Sequence, residues 1–293
     1  MNQTTISRSS EWVKGLQLDQ NVFSGVKFHP APADNGLVFI RSDLPGEPHV
    51  KCCLENLRKQ PRWTSLAEDN VWIHHTEHLL AAVAGAGIDN VVIEVNTDRI
   101  PIVSAGSCAD FHEALLKAGI KNQNVPRQVF VLKKPIHLEA KLSTPSNQVE
   151  ITSADMKRYI LGTPGDSFSV SYVFHVPHIN KMRIGFAEYY STLNSFEENL
   201  SKARSYFLMC ELEDISTLLS ATHQDFIVLT EQSPNSMVHE VARHKILDFI
   251  GDLMVLGRPI TGRFIAVRSG HQHHHDFVRE LMDDGCLELQ TIG

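Results

Sequence analysis

The residues best suited to chemistry form a row within one apolar segment. His244, Asp248 and Asp252 follow one another at intervals of four, so a helix would place them on one face. The positions between them are largely apolar, which predicts a buried helix whose ionised groups need compensation. A divalent cation shared by imidazole and carboxylate would supply it. An ordinary salt-bridge network on a polar helix face is the alternative interpretation.

A second cluster has the same chemical ingredients. Glu77 and His78 stand at the start of another apolar run. A hydrolytic zinc site needs three nitrogen or oxygen ligands, an open position for water and a carboxylate base beside it. His78, His244 and Asp248 would supply the ligands, and Glu77 would be the base. The alternative is that Glu77 only complements the positive end of the helix dipole.

His271 is a third candidate. It follows an apolar strand and a glycine, a position where loops often hold catalytic groups on a rigid scaffold. The side chain could be a general acid. The adjacent histidines 273–275 are typical of a solvated loop, and His271 could instead belong to that loop.

A short motif in the second cluster suggests a different enzyme class. His74, Glu77 and His78 match the inverted zinc-protease pattern His-x-x-Glu-His, in which both histidines bind the metal. That pattern is only five residues long and leaves no role for the row that begins at His244. A peptidase is therefore the weaker alternative, and whether His74 assists at the site stays open.

Helices and strands must bring these distant clusters together. The 3.6-residue pattern and glycine stops predict helices over residues 76–86, 109–118, 196–209 and 237–256. Runs of β-branched and aromatic residues predict strands, including 91–95, 226–229 and 262–267.

The order of these elements predicts the fold class. Residues 121–127 are polar, contain a proline and precede a new strand, which places a domain boundary there. The second half repeats the element order of the first. We therefore expect an α+β protein with two similar domains, 1–126 and 127–293, each a β-sheet with helices on one face.

Composition excludes several other classes of protein. The 293 residues include 27 Lys and Arg against 34 Asp and Glu, a formal net charge of -7, which argues against a broad nucleic-acid or anionic-membrane surface. The longest apolar run, residues 79–88, is about half the length that spans a bilayer. No signal peptide is recognisable, so we expect a cytoplasmic location. Five cysteines without Cys-x-x-Cys spacing indicate reduced thiols.

Longer segments around the clusters resemble a known family. Residues 77–96 and 243–253 closely resemble the UDP-3-O-acyl-N-acetylglucosamine deacetylases, the zinc-dependent LpxC family of lipid A biosynthesis. Residues 269–271, 30–36 and 203–206 are similar to further segments of that family. The resemblance implies two domains, each a sheet packed against two helices, with the metal and the active site between them.

The resemblance also implies individual roles. His78, His244 and Asp248 match the zinc ligands, although the same ligand types accept Fe²⁺. Glu77 matches the catalytic base. His271 matches the cation that stabilises the oxyanion and protonates the leaving amine, and Asp252 matches the carboxylate that orients this cation. Ser205 matches the hydroxyl on the scissile carbonyl, Tyr206 the residue that packs against the sugar, and Lys245 and Arg268 the basic residues near the nucleotide phosphates. The expected partner is a small N-acetylated sugar, and we expect a monomer.

The sequence departs from the family pattern on the substrate side. Residues 15–19 replace a Gly-Leu-His-Thr-Gly segment, residues 104–107 replace an Asp-Gly-Ser segment, and residues 220–225 stand where the family has Gly-Gly-Ser. One alternative is therefore the same deacetylation of a different N-acetylated sugar or nucleotide sugar. Another is a non-catalytic, zinc-containing protein that binds such a ligand.

Overall fold

The computed structural model describes residues 1–18, 22–60, 62–141, 157–176, 184–209 and 226–292. Within these ranges the helices are α1 Glu77–Gly85, α2 Ala109–Ala118, α3 Phe196–Asn199, α4 Asn235–Leu253 and α5 His271–Asp283, with 3-10 turns at Leu54–Asn56, Ser104–Gly106 and Met254–Leu256. None of the described helices combines the length and apolar character that a bilayer-spanning segment requires.

The strands lie on both sides of α1 and α2 in the chain. The first nine are β1 Asn2–Ile6, β2 Val13–Leu16, β3 Phe23–Pro30, β4 Leu37–Arg41, β5 His49–Lys51, β6 Leu57–Arg58, β7 Ser65–Glu68, β8 Val71–His74 and β9 Val91–Val95. The others are β10 Ile120–Leu132, β11 Ile136–Lys141, β12 Lys157–Thr163, β13 Phe168–Phe174, β14 Gly185–Tyr190, β15 Tyr206–Leu208, β16 Ile227–Leu229, β17 Ile260–Val267 and β18 Leu287–Ile292.

The first half is built on a five-stranded sheet in the order β2-β3-β9-β4-β5, beside a three-stranded sheet β6-β7-β8. In β9, the β-branched residues Val91, Ile93 and Val95 are fully buried and alternate with partly exposed positions, as a strand with one face on the core requires. The hairpin of β7 and β8 leads directly into α1. It therefore sets where the first turn of that helix begins.

The second half is built around β17. This strand pairs antiparallel with β12 and parallel with β13, within an eight-stranded sheet. Its buried positions Ile260, Gly262, Phe264 and Ala266 alternate with more exposed ones, and α4 packs on β13 and β14. Because β17 ends at Val267, the residues that follow it reach the end of the sheet where α5 begins.

The two halves meet where α1 packs against α4. Gly251 permits this close approach, because a Cβ atom at that position would overlap the backbone carbonyl oxygen of Glu77. Buried side chains of both halves form one continuous apolar cluster. The first turn of α1 is thereby held against the carboxyl-terminal part of α4.

Most of the predicted elements are confirmed. The α+β class and the predicted helices at 76–86, 109–118 and 237–256 correspond to α1, α2 and α4 with its 3-10 extension. The helix predicted over 196–209 is wrong, since α3 ends at Asn199 and residues 206–208 form β15, which pairs parallel with β16. The aromatic residues there favour a strand once a partner strand is present, and that partner is distant in sequence.

The polar residues 121–127, where the sequence predicts a domain boundary, are not a loop. These residues form part of β10, which pairs with β1 at its start and with β17 and β18 further on. The polar composition reflects the largely exposed face of this strand. The amino-terminal strand therefore belongs to the eight-stranded sheet, and the division into domains 1–126 and 127–293 stays a prediction.

Candidate active site

Two helices bring three metal-ligand side chains together. His78 lies in the first turn of α1, and His244 and Asp248 lie one turn apart on α4. The Nε2 atoms of His78 and His244 are 3.1 and 3.4 Å from Oδ1 of Asp248, and one ligand atom from each residue lies within 4.8 Å of the others. His78 and Asp248 are 170 positions apart in the chain, yet the fold brings both of them and His244 to one point.

The proton positions at His244 suit a cation. Its Nδ1 lies 3.0 Å from the carbonyl oxygen of Ala203, which can only accept, so Nδ1 carries the hydrogen. Burial lowers the pKa of His244 to about 4, despite the adjacent Asp248 carboxylate, so the ring is neutral. Its Nε2 lone pair then faces a carboxylate oxygen. Two acceptors in this arrangement fit a metal ion between them.

Asp248 is ionised and held from its other side. Burial alone would raise the pKa of Asp248, but the Lys245 ammonium and the neighbouring imidazoles outweigh it and hold that pKa well below its usual range. Nζ of Lys245 donates to Oδ2 at 2.8 Å, which leaves Oδ1 facing the two histidines. The same ammonium lies 5.2 Å from the centre of the Tyr206 ring. Lys245 and Tyr206 thus border the ligand cluster.

Glu77, the predicted base, directly precedes the ligand residue His78 in the first turn of α1. It is the first residue of α1, buried, and its Oε2 accepts a hydrogen bond from the backbone N–H of Thr64 at 2.8 Å. Burial raises the pKa of Glu77, and the His271 and His78 imidazoles offset this only in part. A carboxylate with a raised pKa is a better proton acceptor near neutral pH than an ordinary one.

His271 and Asp252 form a buried pair beside the ligands. Nδ1 of His271 donates to Oδ2 of Asp252 at 2.8 Å, and its Nε2 lies 3.7 Å from Oδ2 of Asp248. Burial opposes the charged ring, but the Asp252 and Asp248 carboxylates outweigh it and raise the pKa of His271 to about 9. The imidazolium is therefore available as an acid at neutral pH.

The prediction that histidines 273–275 form a solvated loop is wrong. All three lie in α5 and are buried, with exposed fractions of 2%, 0% and 2%. The residues nevertheless follow a helical period. His271, His274, Val278 and Leu281 are spaced three or four positions apart and are all buried. That spacing is the signal in the sequence that could have revealed the helix.

Ser205, Tyr206 and Arg268 are the remaining predicted residues, and of these Tyr206 lies beside Lys245. The backbone N–H of Ser205 donates to Ala105 O at 3.1 Å, which places it against the turn at 104–106, and Tyr206 follows it in β15. Arg268 comes directly after β17 with a φ of 56° and donates to the Lys157 carbonyl oxygen. It is thus three residues from His271.

The structure does not support the protease motif. His74 lies in β8, where its Nδ1 is 2.8 Å from the hydroxyl of Ser65. Helix α1 begins only at Glu77, so the five residues of the motif do not share a helix. Among the described residues, the groups able to hold a metal ion include His78 but not His74.

Sequence reasoning missed Thr64. Its hydroxyl donates to Oδ1 of Asp252, and its backbone N–H binds Glu77. One residue of the first half therefore contacts both the candidate base and the partner of the candidate acid. No spacing relates Thr64 to either residue, and only the hairpin of β7 and β8 brings it there.

Comparison with known proteins agrees with this geometry. A profile of the LpxC family, described as UDP-3-O-acyl N-acetylglycosamine deacetylase, matches residues 3–283. The chain belongs to the LpxC family. It is 32% identical to the UDP-3-O-acyl-N-acetylglucosamine deacetylase of Nitratidesulfovibrio vulgaris, over 100% of this chain and 91% of that protein. The identity to the deacetylase of the same name from Myxococcus xanthus is 29%, over 98% of this chain and 89% of that protein.

Family membership confirms the predicted enzyme class. LpxC enzymes are metal-dependent deacetylases, and the described residues of this chain include a histidine and aspartate group that could hold the metal. The role of each residue stays a prediction until variants are measured.

Proposed function

We propose that this protein hydrolyses the N-acetyl group of a UDP-3-O-acyl-N-acetylglucosamine-type substrate, the deacetylation that its family name describes and a step of lipid A biosynthesis. The observation that supports this most strongly is the meeting of His78 with His244 and Asp248, next to Glu77 and His271. Three ligands beside a base and an acid suit a hydrolytic centre, whereas a purely structural metal site has no use for either.

Zinc is the metal that we propose for His78, His244 and Asp248, although Fe²⁺ suits the same nitrogen and oxygen ligands. The ion would act as a Lewis acid and activate water near neutral pH. Lys245 occupies Oδ2 of Asp248 and so directs the other carboxylate oxygen to the ligand cluster. Ala203 fixes the ring of His244 with its Nε2 toward that cluster.

The side chains around the ligands would perform the proton transfers. Glu77 takes a proton from the attacking water, and the Thr64 N–H holds its carboxylate in place. His271 stabilises the negative charge that develops on the acetyl oxygen and then protonates the leaving amine. Amide hydrolysis needs this acid, because an amine leaves poorly until it is protonated. Asp252 keeps the His271 ring charged and oriented.

The substrate-side residues would bind the rest of the molecule. Ser205 would polarise the scissile carbonyl with its hydroxyl, and Tyr206 would pack against the sugar. Lys245 and Arg268 would lie near the nucleotide phosphates. A cytoplasmic location and a monomeric state stay predictions.

A specific observation favours a second candidate, the same chemistry on a different N-acetylated sugar. Two of the segments that depart from the family pattern lie close together, because Leu16 accepts a hydrogen bond of 2.8 Å from the N–H of Ile102, two residues before the second segment. The turn that follows contacts Ser205 through Ala105 and Gly106. The changed turn therefore lies beside the residue that we propose to bind the scissile carbonyl. The third segment, 220–225, lies outside the described residues.

A substrate panel separates the two candidates. Purified protein, with its zinc content measured on the same preparation, is assayed against UDP-3-O-acyl-N-acetylglucosamine and UDP-N-acetylglucosamine side by side. Preferential release of acetate from the acylated compound supports the first candidate. Turnover of the unacylated sugar alone supports the second, and no turnover of either by a zinc-loaded preparation contradicts the first and restricts the second to other N-acetylated sugars.

A further inference from the structure

The carboxylate of Asp252 accepts more hydrogen bonds than the one from His271 that its proposed role requires. It is fully buried, and Oδ2 lies 2.8 Å from Nδ1 of His271 and 2.6 Å from Nδ1 of His274. Its other oxygen, Oδ1, accepts from the hydroxyl of Thr64. The Thr64 oxygen in turn lies 2.8 Å from Nε2 of His275.

The chemistry of these groups determines where each hydrogen lies. The Asp252 carboxylate is ionised, because its imidazole partners hold its pKa well below the usual range despite burial. It can therefore only accept, and His274 must donate from Nδ1. Thr64 has a single hydroxyl hydrogen, which goes to Asp252, so Nε2 of His275 donates to the Thr64 oxygen. Each contact around the carboxylate has a defined direction.

His274 is itself held on its far side. Its Nε2 lies 2.8 Å from the hydroxyl of Ser269, and the hydroxyl of Tyr172 donates to the Ser269 carbonyl oxygen. Phe249 packs against the ring edge to face, with ring centres 5.1 Å apart. The ring therefore has little freedom to turn, and it transmits this rigidity to Asp252.

We propose that His274 is a positioning residue for catalysis, one that fixes the Asp252 carboxylate so that Asp252 aligns His271. This inference rests on the proposed function. With only His271 and Thr64 bound, the carboxylate could rotate about its Cβ–Cγ bond and carry His271 with it. The second donor on Oδ2 removes that freedom. Hydrogen-bond partners behind metal-ligating side chains typically contribute about 10- to 100-fold to activity, and we expect a contribution of that order from His274.

Two substitutions distinguish positioning from simple packing. His274→Leu fills most of the space without a donor, whereas His274→Asn keeps a side-chain N–H close to the place of Nδ1. We expect His274→Leu to lower kcat by about 10- to 100-fold, with KM and zinc content unchanged, and His274→Asn to restore most of the loss. Equal kcat values for His274→Leu and the wild type would overturn the proposal.

A double-mutant cycle tests whether His274 acts through Asp252. In an Asp252→Asn background, His274→Leu should cause no further loss of kcat, because the two residues act on one path. His274→Leu can still lower thermal stability in both backgrounds, since packing contributes to stability independently of catalysis. If His274→Leu lowers kcat by the same factor in both backgrounds, its role is structural and the proposal is wrong.

A measurement without turnover keeps this proposal separate from the proposed function. In the ¹H NMR spectrum of the metal-free protein, imidazole N–H protons bonded to a carboxylate appear downfield of the amide region. We expect one such signal each from His271 and His274. In His274→Leu the second signal should disappear and the His271 signal should shift. An unshifted His271 signal would overturn the proposal, even in a protein that deacetylates none of the sugars tested.

Discussion

At the scale of single residues, the backbone carbonyl of Ala203 selects the chemistry of His244. By accepting from Nδ1, it leaves Nε2 as the nitrogen with a free electron pair, and burial keeps the ring neutral. A ligand imidazole has to be in this state, because a protonated nitrogen cannot bind a metal. The surroundings of the ligand thus prepare it before any cation arrives.

Substitution of the base should separate metal binding from catalysis. We expect Glu77→Ala to retain zinc and to lower kcat by roughly 10²- to 10⁴-fold, because a positioned general base contributes about that much. The matched control is Glu77→Gln, which keeps the hydrogen bond from Thr64 but cannot take a proton. Metal content and initial rates are measured on the same samples. Wild-type turnover by either variant would show that Glu77 is not the base.

The proton on His271 offers a prediction about pH. Since the carboxylates raise its pKa to about 9, above the usual value near 6.5, the ring carries its charge at neutral pH and loses it as pH rises through about 9. The contribution of this charge to the free energy of unfolding is fully present below the pKa of His271 in the unfolded chain, and it is lost as pH rises through about 9. NMR titration of the metal-free protein measures the pKa of His271.

Asp252→Asn is the control for that titration. Removing the adjacent negative charge should lower the pKa of His271 relative to the wild type, because only Asp248 and Glu77 then favour the imidazolium. A His271 ring that titrates near its ordinary value in the wild type would refute the assignment of this residue as the acid.

The sequence predicts part of this site but not all of it. The four-residue spacing from His244 to Asp252 is local, so helical geometry alone aligns these side chains. The polar composition of residues 273–275 predicts a solvated loop, whereas the spacing of His271, His274 and Val278 favours the buried helix of the structure. Thr64 could not be found, since its contacts with Glu77 and Asp252 arise only after a hairpin and two helices have packed.

At the scale of elements, the contact between α1 and α4 places the base beside the ligands. Gly251 makes the contact possible. We expect Gly251→Ala to destabilise the protein by about 1–3 kcal/mol, as overpacking of a tight interior does, and to lower activity by shifting Glu77. Thermal unfolding and initial rates measure the two effects.

Gly270→Ala is a suitable control for this substitution. A Cβ atom there meets no heavy atom within 4 Å, and a φ of −159° is open to any residue. We expect its unfolding temperature to stay near that of the wild type. If Gly251→Ala is as stable as Gly270→Ala, the close approach of the two helices is not a constraint on the fold.

Elements formed by local pattern were the easier ones to predict. Helices α1, α2 and α4 carry their own period and glycine stops, whereas β15 depends on β16 across a long separation in the chain. The polar stretch at 121–127 predicts a break between elements but forms part of β10, because the sequence does not show that β1 lies alongside it. Non-local pairing thus accounts for both differences from the predicted elements.

At the scale of the whole molecule, one cation would join the two halves of the chain. His78 comes from the first half and His244 and Asp248 from the second. A ligand that binds only the folded state stabilises it by about 2.7 kcal/mol at 100 times its dissociation constant. We therefore expect zinc to raise the Tm of the metal-free protein by several degrees, and a chelator to reverse the rise.

His244→Ala provides the matched variant for the stability measurement. It removes a ligand from α4 but leaves α1 and Glu77 in place, so the added zinc should no longer raise the Tm. An equal increase in Tm for this variant and the wild type would mean that zinc stabilises the protein from another site. The cluster of Asp252, His271 and His274 is the other described group that could hold a metal ion.

The location of the metal in crystals of the zinc-loaded protein is the most direct test. Anomalous scattering at the zinc absorption edge should show one strong peak about 2.0–2.2 Å from Nε2 of His78, Nε2 of His244 and an oxygen of Asp248, with one position left to water. A peak centred instead on Asp252 and His274, or a fourth protein ligand that closes the coordination sphere, would contradict the hydrolytic centre described above.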